Sequence, residues 1–295
     1  MLLSMLKIKR RQHRARRFST EIKMLIGKRL TILGAGMMGK ALAGGLVRAE
    51  AASADSITFY DIHGDKAFQA ASSLPSPHGK SSRTAVEAVL DADIVLLAVK
   101  PRIIPSILGE IASSLTPRHL VISIAAGVQT VTMEALLGRN IPVIRAMPNT
   151  PSLVGEGATA IAAGIHANAE HTAQAAFLFS AVSRTVIVDE NLMDAVTGLS
   201  GSGPAYVYMM IEALMDGGVK AGLTRDTARL LAAQTVYGAA KMVLESEDHP
   251  AQLKDNVTTP GGTTIQALAV LERAGFRTAI IDAIEAAAAR SKELS

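Results

Sequence analysis

Seven short apolar runs fall before residue 190, and none of the kind follows. They cover residues 29–33, 57–60, 94–99, 120–124, 143–146, 158–161 and 185–188. Most are β-branched and do not alternate with polar residues, which is the pattern of strands covered on both faces. Helical stretches such as 37–52 and 85–90 lie between the early runs. That rhythm predicts βαβ units in a mostly parallel sheet. From about Asp189 helices take over, expected over 204–221, 224–246, 263–274 and 277–294. Thr224 ahead of Asp226 suits a helix N-cap, and Pro250 after His249 suits a helix start.

The fold class is therefore α/β, a mostly parallel sheet followed by an all-helical domain. Residues 1–27 form a basic leader, 28–188 the sheet domain and 189–295 the helical domain. The helical domain has too few layers to bury its own apolar stripes, so a partner subunit is expected to cover part of it.

Charge separates the leader from the body. Residues 1–28 carry nine Lys or Arg and one acid, Glu21, whereas the rest carries 21 basic and 25 acidic residues. Nucleic-acid binding needs clustered cations or stacking aromatics. The body has no basic cluster, and aromatics make up 3% of the chain. The leader reads as a basic tail, an amphipathic targeting peptide or sequence upstream of a start at Met24. It lacks the long apolar region of a secretory signal. No run reaches the length of a membrane span. Cysteine is absent, which removes disulfides, thiolate metal sites and a cysteine nucleophile. Nothing argues for secretion, and a cytoplasmic location is expected.

Leu33 leads into Gly34-Ala35-Gly36-Met37-Met38-Gly39, a G-x-G-x-x-G run between a strand and a helix. The first Gly permits the tight turn, the second a close approach by pyrophosphate, and the third helix–strand packing. Free N–H groups at the helix start face the phosphates. In this context the run predicts a Rossmann-type dinucleotide site. Asp61 lies 22 residues beyond Gly39, at the end of the second strand run. An acid there bonds the adenosine ribose and repels a 2′-phosphate, which favours NADH, although His63 and Lys66 follow closely. Ala98-Val99-Lys100-Pro101 and Ala125-Ala126-Gly127 follow the next two strand runs, where small residues let a flat ring approach. The seven His are scattered and each, His119 included, is expected at the surface. No His and carboxylate grouping suggests a metal site.

The densest polar cluster, Lys254 to Thr264, leads into an apolar helix. A Gly-Gly turn feeding a helix can hold a carboxylate on backbone N–H groups. Equally, Thr263 can simply cap the helix.

The stretch Leu253-Lys254-Asp255-Asn256-Val257-Thr258-Thr259-Pro260-Gly261-Gly262-Thr263-Thr264-Ile265 resembles the signature of pyrroline-5-carboxylate reductases. Three supporting stretches resemble the same family: Arg145-Ala146-Met147-Pro148-Asn149-Thr150-Pro151, Gly198 through Tyr206, and Ala98-Val99-Lys100-Pro101. The resemblance runs from about Arg29 to Leu294. It implies NAD(P)H-dependent reduction of the C=N bond of 1-pyrroline-5-carboxylate to L-proline. It also implies a Rossmann domain, a helical dimerisation domain, and a homo-oligomer that is at least a dimer and commonly a decamer. Thr264 matches the threonine at the imine nitrogen. Gly261, Gly262 and Thr263 match the loop receiving the substrate carboxylate, Glu190 an acid near that pocket, and Asn256 a residue near the nicotinamide. Two departures stand out. Ala85 occupies a place where many relatives have an Asn near the adenosine, and Asp61 replaces a small polar residue found in members that use NADP.

Two other readings remain at this point. Hydroxyacid and 6-phosphogluconate type dehydrogenases share the architecture, but they place a Lys on the helix after a Gly-rich turn. Here the helix after Gly203 has no Lys before Lys220. A non-catalytic nicotinamide-binding protein would leave the intact Thr264 loop unexplained.

Overall fold

The computed structural model describes residues 27–294; the reading of the basic leader lies outside them, apart from Gly27. By its internal packing the chain divides into two compact units. One runs up to Gly201 and includes the residues from Ala288 on, and the other is Ser202–Ala287.

The first unit is built on one eight-stranded sheet. Its strands are β1 (Leu30–Leu33), β2 (Ile57–Tyr60), β3 (Lys80–Ser81), β4 (Ile94–Leu97), β5 (Leu120–Ser123), β6 (Val143–Met147), β7 (Gly157–Ala163) and β8 (Ser183–Ile187), in the order β3-β2-β1-β4-β5-β6-β7-β8. The six on the β3 side run parallel. The order reverses between β1 and β4, the place where α/β sheets open a crevice at the strand C-termini.

The apolar runs account for seven of these strands; the eighth, β3, is two exposed polar residues with no apolar signal. The pairing of β7 with β6 is antiparallel. Only residues 148–156 join them, too few for the crossover that parallel pairing requires. Helix α6 (Ala169–Ser180) supplies that crossover for β7 and β8, which pair parallel.

Every residue of β1, β4 and β5 is buried, because helices cover both faces. Leu30, Ile32, Phe59 and Leu96 pack with Leu42 and Leu46 of α1 (Met37–Arg48) and Phe177 of α6. On the opposite face Leu33, Val95, Leu97 and Val121 pack against Val89 of α3 (Ala85–Leu90) and Leu108 of α4 (Ile104–Ile111). Helix α2 (Gly64–Ser72) follows β2, and α5 (Thr130–Leu137) lies between β5 and β6. The short α7 (Met193–Val196) leads into a π-helical turn at Thr197–Gly201.

His119 corrects one expectation. It is 1% exposed, and its Nδ1 accepts the Thr116 N–H at 2.9 Å. Burial therefore holds its pKa below the usual histidine range.

The second unit holds α8 (Gly203–Lys220), α9 (Arg225–Glu245), α10 (Pro250–Asn256), α11 (Thr263–Arg273) and most of α12 (Phe276–Glu293). Thr224 caps α9 through the Thr227 N–H, and His249 caps α10, as the sequence implied. Gly218 lets α8 and α9 approach closely; a Cβ there would lie 3.1 Å from that of Ala228. Within this unit only Ala228 and Ala232 are buried. Tyr208 is 60% and Met209 68% exposed. Among the described residues, no helix is long and apolar enough to cross a membrane.

Candidate active site

The turn between β1 and α1 is shaped by its glycines. Gly34 has φ +108°, and a Cβ on it would lie 2.5 Å from the Ala98 carbonyl oxygen. Its N–H donates to Tyr60 O at 2.8 Å, tying β1 to β2. A Cβ on Gly39 would lie 2.7 Å from Gly34 O, so only glycine allows helix and turn to meet there. A Cβ on Gly36 would meet nothing within 4 Å. That open place lies at the N-terminus of α1, which has no side-chain cap and no acid in its first turn. Its free N–H groups and positive dipole end suit a pyrophosphate. The residues present thus fit a dinucleotide.

A cavity of about 680 Å³ opens in front of this turn. It is lined by Gly34, Gly36, Met37 and Met38 from the turn, Asp61 from the end of β2, Ala98, Val99, Lys100 and Pro101 after β4, and Ala125 and Ala126 after β5. Those are eleven of the sixteen residues expected to bind cofactor. Leu33, Ala35, Gly39 and Gly127 do not line it. Leu33 is core on β1, Ala35 gives its N–H to Asp61, Gly39 packs the helix, and Gly127, at φ +77°, lies just past the lining residues. Asn256 belongs to the helical unit, where its Oδ1 accepts from Gln252 at 3.0 Å. Ala85, the first residue of α3, is fully buried and does not line the cavity.

Asp61 has a structural role that sequence did not suggest. Its Oδ2 accepts the Ala35 N–H at 3.0 Å and its Oδ1 the His63 N–H at 3.0 Å. The carboxylate thereby holds the glycine turn to the end of β2, with lone pairs remaining for a ligand.

Several lining residues were not anticipated. Tyr60 and Ile62 flank Asp61, Ile103 immediately precedes α4, and Ser106, Ile107 and Glu110 lie on that helix; Lys66 on α2, noted above for its nearness to Asp61, lines the cavity as well. Burial pushes the Tyr60 phenol up, and the Glu110 and Asp61 carboxylates push it the same way. The helical period of α4 carried the signal for its lining residues. Its buried positions are Ile104, Ile107, Leu108 and Ile111, leaving Ser106 and Glu110 on another face. Ile124, Thr150 and Leu153 complete the wall at the β5 end.

Glu190 does not line this cavity. One of its oxygens accepts the Thr130 N–H at 2.8 Å and the other accepts the Thr130 hydroxyl. Arg145 lies 3.5 Å from the first.

In the helical unit the loop before α11 turns at Gly261, with φ +67°. The Gly262 N–H donates to Thr259 O at 3.0 Å. Gly262 is the N-cap of α11 and no side chain caps it, so Thr263 is the first helical residue and not the cap. The opening N–H groups of α11 remain available, and neither Thr263 nor Thr264 spends its hydroxyl internally among the described residues. Among the described residues, no group of three or more His, Asp or Glu is placed to hold a metal ion.

Comparison with known proteins follows the same division of the chain. A family model for pyrroline-5-carboxylate reductase dimerisation matches residues 190–294. A model described as NADP oxidoreductase, coenzyme F420-dependent, matches residues 29–127. Pyrroline-5-carboxylate reductase of Synechocystis sp. is 47% identical over 274 residues, covering 90% of this chain and 97% of that protein. The chain belongs to the pyrroline-5-carboxylate reductase family. A solved pyrroline-5-carboxylate reductase from Coxiella burnetii superposes with a TM-score of 0.85 at 38% identity, covering 91% of this chain and 98% of that one. A Plasmodium falciparum member of the family, solved with NADP bound, gives 0.79 at 34% identity, covering 90% and 98%.

Proposed function

We infer that this chain is a pyrroline-5-carboxylate reductase, an oxidoreductase of proline biosynthesis that reduces the C=N bond of 1-pyrroline-5-carboxylate to give L-proline. The observation that carries the reading is 47% identity to a reductase of that name over nine-tenths of the chain, together with a glycine turn shaped for a dinucleotide.

The bound nicotinamide nucleotide supplies the hydride. The chain's own residues bind and orient. The free N–H groups of α1 and the open face of Gly36 receive the pyrophosphate, while Asp61 takes the adenosine ribose. Ala98 and Ala125-Ala126 leave room for the nicotinamide ring, and Asn256 is assigned to the same end. In the helical unit, Gly261, Gly262 and Thr263 present backbone N–H groups to the substrate carboxylate. Thr264 donates its hydroxyl to the ring nitrogen and is the assigned catalytic residue. A protonated imine is already electrophilic, so orientation and this hydrogen bond supply most of what the reaction needs. The absence of a Lys on α8 before Lys220 weighs against alcohol oxidation.

Between the two cofactors we favour NADH. Asp61 and Glu110 both line the cavity, and their charge opposes a 2′-phosphate. Lys66 and Lys100, in the same lining, soften the opposition enough for NADPH to be used as well. The exposed apolar faces of the helical unit support a homodimer, and assembly of dimers into a decamer is the higher order that the resemblance implies. A cytoplasmic location is kept as part of this proposal.

Initial rates with pyrroline-5-carboxylate and each of NADH and NADPH test the reading. Proline should form with both, faster with NADH.

A further inference from the structure

The cavity in front of the glycine turn has an apolar end beyond Asp61. The sheet order puts Asp61 after β2, the glycine turn after β1 and Ala125 after β5. A dinucleotide with its ribose at Asp61 and its pyrophosphate at Gly36 brings its nicotinamide towards residues 124–126. The base at its other end then lies beyond Asp61, on the side of the sheet where α4 packs. Tyr60 and Val99 pack on that side, against a core that includes Ile107 of α4. Ile103 is 41% exposed, and it lines the cavity with Ile107, four residues on. Tyr60, Ile62, Ile103 and Ile107 thus offer a planar base the apolar wall that small-molecule sites use.

Besides Asp61, one carboxylate lines the cavity. It belongs to Glu110 on α4, which follows Ser106 and Ile107 at spacings that share a helix face. Burial is the main cause that pushes the Tyr60 phenol up, and the Glu110 charge comes next, so Glu110 stands by the Tyr60 wall. Among the described residues Glu110 makes no hydrogen bond or ion pair. By contrast, each oxygen of Asp61 already accepts a backbone N–H, and Ala85 has no polar side-chain atom and does not line the cavity. The exocyclic amine of adenine is a hydrogen-bond donor on the edge of the ring. A free carboxylate at the end of an apolar slot is its matching acceptor.

We propose that Glu110 is a specificity-determining residue for the base of the cofactor: its carboxylate accepts a hydrogen bond from the 6-amino group of adenine, so the site selects an adenine dinucleotide over one with a 6-oxo purine. This rests on the dinucleotide part of the reductase reading, and it adds a contact at the base to the charge effect of Glu110 on a 2′-phosphate. A 6-oxo group removes the donor and sets a lone pair against the carboxylate. A site built to hydrogen-bond one ligand rejects the analogue that leaves its polar group unpaired.

The test uses the full chain and compares the Kd of NADH with that of reduced nicotinamide hypoxanthine dinucleotide, both read from the fluorescence of the dihydronicotinamide. The two ligands carry the same charge, so the ratio of their Kd values is insensitive to repulsion between Glu110 and the phosphates. Wild type should bind NADH about tenfold or more tightly than the hypoxanthine ligand. Glu110→Ala should bring the ratio to within about twofold of unity, mainly by weakening NADH. Glu110→Gln offers the 6-oxo group an amide donor as well as the amine an acceptor, so it should close the ratio by tightening the hypoxanthine ligand. Should Glu110→Ala not fold, the near-isosteric Glu110→Gln gives the same answer. A wild-type ratio near unity, or a ratio that both variants leave at the wild-type value, would overturn the proposal. A wild type that binds neither ligand would defeat the dinucleotide reading and the proposal with it. A wild type that prefers NADH as stated but does not reduce pyrroline-5-carboxylate would defeat the reductase reading alone and support the contact at the base.

Discussion

Asp61 accepts the N–H of Ala35 at 3.0 Å, 26 residues back along the chain, so one carboxylate both braces the glycine turn and faces the cavity. Asp61→Ser should therefore do two things at once. The ratio of kcat/KM for NADPH over NADH should rise by roughly tenfold or more, each tenfold being about 1.4 kcal/mol. Both values should also fall, because a hydrogen bond to a charged acceptor worth about 1.5–3 kcal/mol is lost from the turn. Initial rates with both cofactors read the two effects separately. An unmoved ratio would show that Asp61 does not face the ribose.

The glycines of the turn should respond differently to the same added methyl. Gly39→Ala puts a Cβ 2.7 Å from Gly34 O; overpacking of that kind costs about 1–3 kcal/mol, so Tm should drop. Gly36→Ala points its Cβ into open space, so Tm should hold while cofactor affinity weakens by tenfold or more, because pyrophosphate approaches there. Thermal unfolding and cofactor titration of the two variants check this. Equal loss of Tm in both would contradict the assignment.

His119 makes stability sensitive to acid. The native ring is buried and its pKa is lowered by that burial, while the unfolded chain titrates near the ordinary value of about 6.5. As pH falls through that value the unfolded state takes up a proton that the native state resists, so stability falls. His171 is lowered for the same reason and acts in the same direction. Tm should decline between pH 7.5 and 5.5, and His119→Gln should flatten part of the decline while lowering Tm at pH 7.5. A decline of the same size in wild type and variant would exclude His119 as its source.

Much of this architecture is legible in sequence because its signals are local. The apolar runs at 94–99 and 120–124 announce doubly covered strands, and Gly34, Gly36 and Gly39 announce the turn. What stayed hidden depends on contacts between distant residues. The direction of β7 follows from the shortness of its link to β6, while its own composition reads like that of its neighbours. Nothing near Asp61 in sequence shows that Ala35 will be its partner. Likewise Glu190 lies 60 residues from the helix end it caps. His119 looks like a loop residue because the pairing of its ring with Thr116 appears only when the chain turns before β5.

The helical unit should not stand alone in water. Met209 and Leu230 are 68% and 69% exposed within the single chain, and burying such side chains is worth about 1.5–3 kcal/mol each. Light scattering should report a dimer or larger assembly. Met209→Glu or Leu230→Glu should shift the mass toward the monomer if these faces form the contact. An active wild-type monomer at low concentration would contradict this account.

Imine reduction with Thr264 at the ring nitrogen is tested by comparing wild type and Thr264→Ala with pyrroline-5-carboxylate and NADH, measuring cofactor oxidised and proline formed. Wild type should yield proline in step with cofactor oxidation. Thr264→Ala, folded and still binding cofactor, should lose about ten- to a hundredfold in kcat/KM, as for a hydrogen bond worth about 1–3 kcal/mol. Equal kinetics in the two proteins would remove Thr264 from the reaction, and a wild type that forms no proline would contradict the function itself.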